Sequence, residues 1–385
     1  MMKAAVADTI GFALTDLGVD IATNVPGYGV SEAFQSYCKA KMKRSVISFH
    51  EEVAFSIAHG ASMVGKRSAV LMKAHGFVKA GNSAVDSLYT NVKAGFVSII
   101  FEDFTGEHSD NIMELIPILR GMHFPTKIGK VETIYDDIIS CYRESEQRKM
   151  PYALLINSAD IMEETEFERR ENLKKNFEFK RDLLGNVIHP LLADYQYKVF
   201  TAKKIMGDFS NIQTPQIPVY PKDFPQRYLE SANKYVKFFE AFKSVRGSVV
   251  TGDTSVSSCF AFPPYNSIDL ITHLGGSIPL AIGTYKAGYK DVWALTGDFG
   301  FLAAGHMSLI EILEREIPLK IVIFYNKQAA ATGGQIIHKK IMYRVLAGYD
   351  NFIKHISDPQ NPFEISEVLE EANNADELRI VIVDY

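Results

Sequence analysis

The sequence predicts an α/β protein with two parallel-sheet domains joined by a connecting segment. Short Val- and Ile-rich runs alternate with longer Ala-rich helical patterns up to about residue 162, and this alternation restarts after residue 243. Continuous apolar runs separated by helices are typical of parallel sheets that helices cover on both faces. Between the halves, Glu163–Arg181 is charge-dense and Asn211–Gln226 is proline-rich. We therefore expect domains at 1–162 and 244–385, with a partly helical linker at 163–243.

The apolar runs predict the strands of each half in chain order. In the first half they are IATNVPG, RSVISF, SAVLMKA, FVSIIFED and YALLINS. In the second half they are GSVVTGDTS, DVWALTGDFG, LKIVIFYNK and LRIVIVDY. Helical patterns fill the intervals, so each half has enough strand and helix for a sheet of its own.

Composition and charge exclude several function classes. The 385 residues carry a net charge of −5 with no basic surface segment, so we expect no nucleic-acid partner. The three cysteines lie far apart, which predicts neither a disulfide framework nor a local zinc or iron–sulfur site. The apolar N-terminal region is interrupted by Asp8, Asp16 and Asp20, unlike a signal peptide, and no run is long enough to span a membrane. We expect a soluble cytoplasmic protein.

Two strands of the second half end in Thr-Gly-Asp. Only one of them is followed, after the next strand, by a second residue that could bind a metal ion. Twenty-eight residues after Asp298, at the end of the next strand, stands Asn326, whereas Asp253 has no such partner. Neighbouring strands would bring the Asp298 carboxylate and the Asn326 amide oxygen together, and Mg²⁺ prefers such oxygen ligands plus substrate phosphates. Hydroxyls of Thr254 and Ser255 could then donate to a diphosphate. Gly-Asp after a strand is equally an ordinary turn or helix-cap signal.

A pair of acids, Glu51 and Glu52, precedes an apolar Ala/Gly-rich helical stretch in the first half. Ionised carboxylates avoid apolar surroundings unless something binds or neutralises them. One of the two is explained as a first-turn helix acid favoured by the helix dipole. The other of the two glutamates is a candidate for a general acid–base residue.

Several motifs resemble those of thiamine diphosphate-dependent enzymes. GDFG followed by NK resembles the cofactor's metal-binding motif, with Phe299 and Lys327 standing where glycine and asparagine are usual. TGDTS and ATGGQ resemble motifs of phosphonopyruvate decarboxylases, and the short two-domain length resembles that of phosphonopyruvate and sulfopyruvate decarboxylases. Four longer segments resemble the large subunit of indolepyruvate ferredoxin oxidoreductase: NVPGYGVSEAF, GASMVGKRSAVLMKAHGF, DSLYTNVKAGFVSIIFEDFTGEHSDN and FPPYNSIDLITHLGGSIPLAIG.

The resemblance implies two thiamine-diphosphate-binding-fold domains and a role for each site residue. It implies Mg²⁺ ligation by Asp298, Asn326 and the Gln328 carbonyl, and a proton exchanged between Glu51 and the cofactor pyrimidine. It makes Ile278 an apolar wedge beneath the cofactor, and it turns His75 and His108 toward the substrate. The implied cofactor-binding residues are Pro26, Gly27, Thr254, Ser255, Gly276, Ser277, Ile278, Gly297, Asp298, Phe299, Gly300 and Asn326.

The implied activity is non-oxidative decarboxylation of a 2-oxo acid to an aldehyde and CO2. Because the family shares each ligand between the two halves of different chains, we expect a homodimer or a dimer of dimers. No cysteine follows Cys259, so we expect no resident iron–sulfur cluster. Three alternatives stay open: a carboligase, an oxidoreductase subunit that needs a separate electron-transfer partner, and a binding protein that keeps the fold without the chemistry.

Overall fold

The computed structural model describes residues 1–203 and 211–385, and these fall into two units. The first unit contains Met1–Lys180 and the described part of Val199–Ser210. The second contains Arg181–Lys198 and Asn211–Tyr385. The residues expected to form a linker are thus distributed between the two units.

The first unit is built on a five-stranded parallel sheet with the strand order β2-β3-β4-β6-β5. A separate antiparallel pair joins β1 to β7. The elements are β1 (Met2–Ala5), α1 (Val6–Asp16), β2 (Ile21–Asn24), α2 (Val30–Lys41), α3 (Glu51–Met63), β3 (Ser68–Lys73), α4 (Ala74–Lys79), α5 (Gly81–Ser87), β4 (Phe96–Glu102), α6 (Ile116–Met122), β5 (Thr126–Ile128), α7 (Ile134–Arg148), β6 (Tyr152–Asn157) and β7 (Glu164–Phe167).

The run RSVISF, predicted to be a strand, is not part of the sheet, so that prediction is wrong. Its Ser48 amide donates to the Asn24 carbonyl at 2.8 Å, at the end of β2. Ile47 and Phe49 are 39% and 49% exposed. Strand propensity reflects packing on a half-buried surface, and the exposure of Ile47 and Phe49 shows that this run is not packed as a strand of the sheet is.

The second unit contains a six-stranded parallel sheet with the strand order β12-β13-β11-β10-β8-β9. The remaining elements of the chain are α8 (Leu183–Asn186), α9 (Ala193–Thr201), α10 (Gln226–Ala232), α11 (Val236–Phe242), β8 (Val249–Gly252), β9 (Leu270–Ile271), α12 (Ser277–Lys286), β10 (Val292–Gly297), α13 (Asp298–Ala303), α14 (Leu309–Glu314), β11 (Lys320–Tyr325), α15 (Lys339–Val345), β12 (Ile353–Ile356), α16 (Pro362–Asn374) and β13 (Arg379–Asp384).

An aromatic cluster anchors α11 to this sheet. Phe238 packs edge-on against Phe324 of β11 with ring centroids 4.9 Å apart, and Phe242 packs against Trp293 of β10 at 5.3 Å. Rings of this size contribute much of the apolar area that a core buries. These contacts fix α11 against β10 and β11, the two strands that precede Asp298 and Asn326.

The register of β10 and β11 sets the position of the candidate site. Gly297 pairs with Phe324 in this parallel ladder, so both strands end at the same edge of the sheet. Ligands of open α/β sheets bind outside the carboxyl ends of the strands. The predicted α/β class with two parallel-sheet domains is confirmed. Within residues 1–203 and 211–385, every helix is too short or too polar to cross a membrane.

Candidate active site

A cavity of about 130 Å³ opens beyond the carboxyl ends of β8, β10 and β11. It collects most of the residues that the sequence predicted to hold a diphosphate and a metal ion. Its lining consists of Thr254, Ser255, Val256, Leu274, Gly297, Asp298, Phe299, Gly300, Asn326, Gln328 and the segment from Ala329 to Thr332. Hydroxyl, carboxylate and amide groups thus meet a small apolar wall.

Asp298 is the acidic group of this cavity. Its side chain is almost fully buried, Oδ1 accepts the Phe299 amide at 2.8 Å, and Oδ2 accepts the Lys327 amide at 2.8 Å. Burial raises the pKa of Asp298 to about 6, because the charged form loses its hydration. A cation placed in the cavity would stabilise the ionised carboxylate.

Asn326 is held in one orientation by two hydrogen bonds. Its Nδ2 donates to the Tyr235 hydroxyl at 3.0 Å, and its Oδ1 accepts the Gln328 amide at 3.1 Å. Because a backbone N–H can only donate, the side-chain oxygen must lie on the Gln328 side. Tyr235 belongs to the buried core of the unit, so the orientation of Asn326 is set from within the fold.

Asp253, in the other Thr-Gly-Asp, has a different surrounding. It is fully buried, and its Oδ2 accepts the Gly275 amide at 3.1 Å and the Thr296 hydroxyl at 2.6 Å. A Cβ atom at Gly300 would overlap this oxygen, so only glycine fits there. Asp253 therefore ties the loop before α12 to β10, and it does not line the cavity.

The residues of the cavity fit a magnesium ion bound together with a diphosphate. Among the described residues, no three His, Cys, Asp or Glu side chains form a metal cluster, so the donors must include neutral oxygens. Asp298 supplies a carboxylate, Asn326 an amide oxygen, and the Gln328 carbonyl accepts the Ala330 amide at 2.8 Å with a second lone pair remaining. These are hard oxygen donors, as Mg²⁺ prefers, and few enough to leave positions for phosphate oxygens.

Three predicted cofactor-binding residues of the second unit lie outside the lining of this cavity. Gly276, Ser277 and Ile278 form the start of α12, where the Gly276 carbonyl accepts the Leu280 amide at 3.1 Å. The Ile278 side chain is fully buried, so no surface of it is open to a ligand within the unit. Its role as a wedge stays a prediction.

In the first unit, Glu51 is the first residue of α3 and Glu52 the second. Glu51 Oε2 lies 2.7 Å from the Lys79 ammonium, and the Glu51 side chain is 15% exposed. A Cβ atom at Gly76 would approach Glu51 Cγ to 2.8 Å, so the start of α4 packs directly on this carboxylate. Lys79 as its partner was not predicted.

The loop that follows β4 contains His108 and, through Asn111, contacts His75. His75 Nε2 lies 2.5 Å from Asn111 Oδ1, and the His108 ring stacks on Tyr28 at 3.8 Å. Tyr28 follows Pro26 and Gly27 in the loop after β2. The structure therefore links His75, His108 and the Pro-Gly loop at one edge of the first sheet.

Asp103 fixes the conformation of that loop through hydrogen bonds to its side-chain carboxylate. Its carboxylate accepts the Thr105 hydroxyl at 2.8 Å and the His108 amide at 2.8 Å. Burial raises the pKa of Asp103, but these hydrogen bonds outweigh burial and hold it below its ordinary value. Lys73 lies 4.0 Å from the same carboxylate. Sequence reasoning missed Asp103 because nothing in FEDFTGEH distinguishes it from a loop acid.

Comparison with known proteins matches most of the second unit to a cofactor-binding domain family. Residues 251–380 match the family described as thiamine pyrophosphate enzyme, C-terminal TPP binding domain. Indolepyruvate oxidoreductase subunit IorA of Archaeoglobus fulgidus is 26% identical over an alignment of 174 residues, which covers 40% of this chain and 28% of that protein. The match thus spans less than a third of the relative.

Two solved structures resemble the whole chain. A thiamine diphosphate-dependent 4-hydroxybenzoylformate decarboxylase from Rhodococcus jostii RHA1 gives a TM-score of 0.68 at 14% identity, covering 99% of each chain. A protein from Mycobacterium smegmatis, named provisionally as a thiamin diphosphate-dependent enzyme, gives 0.69 at 14% identity with the same coverage. Such low identity shows the fold alone. The predicted resemblance to thiamine diphosphate-dependent enzymes is confirmed.

Proposed function

We propose that this chain is a thiamine diphosphate- and Mg²⁺-dependent enzyme that decarboxylates a 2-oxo acid to an aldehyde and CO2. The observation that carries the proposal is the cavity in which Asp298, Asn326 and Gln328 meet the hydroxyl-bearing residues Thr254 and Ser255. These residues would provide hard oxygen donors for Mg²⁺ and hydroxyl donors for a diphosphate.

The residues of the second unit bind and orient. Asp298, Asn326 and the Gln328 carbonyl hold the metal ion, and the Thr254 and Ser255 hydroxyls donate to the diphosphate. The hydrogen bond from Asn326 to Tyr235 fixes the amide before the ligand arrives, so less order has to be imposed on binding. A bound thiamine diphosphate would supply a nucleophilic carbon and an electron sink for decarboxylation.

The residues of the first unit handle protons and substrate. Glu51 holds the proton exchanged at the pyrimidine nitrogen, and an acid placed for this role contributes about 10²–10⁴-fold to rate. His75 and His108 lie at one edge of the sheet, where each can hold or release a proton on the substrate side. We assign Glu52 to the first turn of α3, where an acid interacts favourably with the helix dipole.

We further propose a homodimer, or a dimer of dimers, in which Glu51 of one chain serves the diphosphate site of another. Mixing Glu51→Gln chains with Asp298→Asn chains tests this arrangement, because each hybrid dimer then retains one intact site. Recovery of activity on mixing is the expected result. No recovery, although an affinity tag carried by only one variant co-purifies the other variant as mixed dimers, would refute shared sites.

The activity itself is tested with a panel of 2-oxo acids. The full-length protein, supplied with thiamine diphosphate and Mg²⁺, should release CO2 and an equal amount of aldehyde from at least one acid. The Glu51→Gln variant should bind the cofactor but release almost no CO2 or aldehyde. Full activity of that variant would remove Glu51 from the mechanism.

One observation favours a second candidate, the subunit of a 2-oxo acid oxidoreductase. The relative from Archaeoglobus fulgidus is named as such a subunit, although the chain matches only part of it. The same panel separates the two candidates. CO2 release that requires an added electron acceptor and yields no aldehyde would establish the oxidoreductase.

A further inference from the structure

Lys327 stands between two of the proposed metal ligands, Asn326 and Gln328, in an uncommon backbone conformation. Its φ is 68°, in the left-handed region that side-chain-bearing residues other than asparagine, aspartate and histidine seldom adopt. Such a conformation persists only when surrounding contacts determine it, and it is concentrated at functional sites. The question is what holds a lysine there.

The backbone of Lys327 is tied to both sides of the cavity. Its amide donates to Asp298 Oδ2 at 2.8 Å, and its carbonyl accepts the Ile337 amide at 2.9 Å. The chain between these points includes Ala329–Thr332, which line the cavity. A change in the Lys327 backbone would therefore move both Asp298's donor and the cavity wall.

The side chain of Lys327 is held by Asp384. The Lys327 ammonium lies 2.9 Å from Asp384 Oδ1, and Lys339 lies 2.8 Å from Oδ2. Asp384 is the last residue of β13 and pairs in register with Tyr325 of β11, so the sheet fixes it beside the segment. Burial raises the pKa of Asp384, but hydrogen bonds from the two lysines outweigh burial and lower it.

We propose that Asp384 is a positioning residue whose ion pair with Lys327 holds the Asn326–Gln328 segment in the conformation that binds the metal ion and diphosphate. This inference rests on the proposed function for the identity of the ligand. The clamp itself is a property of the chain alone. It needs no contact between Asp384 and substrate.

The experiment compares the wild-type 385-residue chain and four variants by hydrogen exchange without cofactor and by calorimetry with thiamine diphosphate in Mg²⁺. Asp384→Asn should speed exchange of the Lys327 amide about fivefold, the scale of a half-exposed ion pair. It should also weaken thiamine diphosphate binding about tenfold, as loss of a residue supporting a metal ligand does. Lys327→Asn, and Lys327→Asn combined with Asp384→Asn, should keep slow exchange and wild-type affinity, because asparagine adopts a positive φ without an ion pair.

Glu371→Gln is the matched control. Glu371 also holds two cations, Lys354 at 3.2 Å and Arg379 at 3.2 Å, with its side chain 39% exposed. Arg379 begins β13, at the strand end opposite Asp384. This variant should leave Lys327 exchange and cofactor affinity at wild-type values.

Two results would overturn the clamp. One is unchanged Lys327 exchange in Asp384→Asn, and the other is fast exchange in Asp384→Asn that the added Lys327→Asn does not slow. Failure of the wild-type protein to bind thiamine diphosphate would instead contradict the proposed function, because the exchange measurement judges the clamp without any ligand.

Discussion

Replacing Tyr235 by phenylalanine removes one buried oxygen atom that orients Asn326. The Tyr235 hydroxyl accepts the Asn326 amide at 3.0 Å, while its ring stacks on Phe324 at 4.8 Å. The ring contacts remain in the variant, so the change isolates the hydrogen bond. One such bond contributes about 0.5–1.5 kcal/mol to the free energy of unfolding.

The effect on ligand binding should exceed the effect on stability. Without the hydroxyl, the Asn326 side chain keeps only the hydrogen bond from the Gln328 amide, so its orientation is less restricted. Loss of a partner that orients a metal ligand weakens binding about 10–100-fold. Calorimetry with thiamine diphosphate in Mg²⁺ measures the affinity. Urea unfolding followed by fluorescence of Trp293, the single tryptophan, measures stability in the same unit.

Tyr385→Phe is the matched control for this prediction. The Tyr385 ring lies 4.4 Å from the Tyr235 ring, but among the described residues its buried hydroxyl has no hydrogen-bond partner. Removing an unpaired buried hydroxyl should leave stability equal or higher and affinity unchanged. Wild-type affinity in Tyr235→Phe, or an equal loss in both variants, would refute the reasoning.

Three further predictions concern Glu51, Gly300 and His189. Glu51→Gln should keep cofactor affinity in calorimetry and lower turnover about 10²–10⁴-fold. Gly300→Ala should lower the free energy of unfolding by about 1–3 kcal/mol, because its Cβ overlaps the buried Asp253 carboxylate. Burial lowers the pKa of His189 to about 4, so the folded state binds this proton more weakly than the unfolded chain does. Stability that is full above pH 6.5 should fall by about 2–3 kcal/mol on acidification to pH 4.5.

The predictions for Gly300 and His189 each have a control. Gly305→Ala adds a Cβ at an ordinary 3.4 Å from its nearest neighbours and should be nearly neutral. His189→Gln should show a shallower loss of stability over the same pH range, and a loss as steep as the wild type's would assign the effect to other groups. Urea unfolding followed by Trp293 fluorescence measures both. Equal stability of Gly300→Ala and the wild type would contradict the packing argument.

Much of the fold could be predicted because most strands of both sheets are buried on both faces. Runs such as SAVLMKA and FVSIIFED are apolar at nearly every position, which marks an interior parallel strand. The edge elements carry no such signal: β5 has three residues and β12 is half-exposed. RSVISF had the right propensity, but it joins neither sheet, and its Ile47 and Phe49 side chains stay 39% and 49% exposed.

The candidate site was predictable where consecutive strands are also neighbours in the sheet. Asp298 and Asn326 follow two such strands, β10 and β11, so their spacing in the sequence places them at the same edge. The orientation of Asn326 depends on Tyr235, which lies 91 residues away in the chain. The ion pairs of Glu51 with Lys79 and of Lys327 with Asp384 depend likewise on three-dimensional packing. No pattern in one sequence encodes such contacts.

Calorimetric titration of thiamine diphosphate into the wild-type protein, with Mg²⁺ or with chelator, tests the central claim most directly. The proposal predicts saturable binding with one cofactor per chain in Mg²⁺ and a large loss of affinity when the metal is removed. Absence of binding in Mg²⁺, by a protein whose Trp293 fluorescence shows it to be folded, would contradict the proposed function.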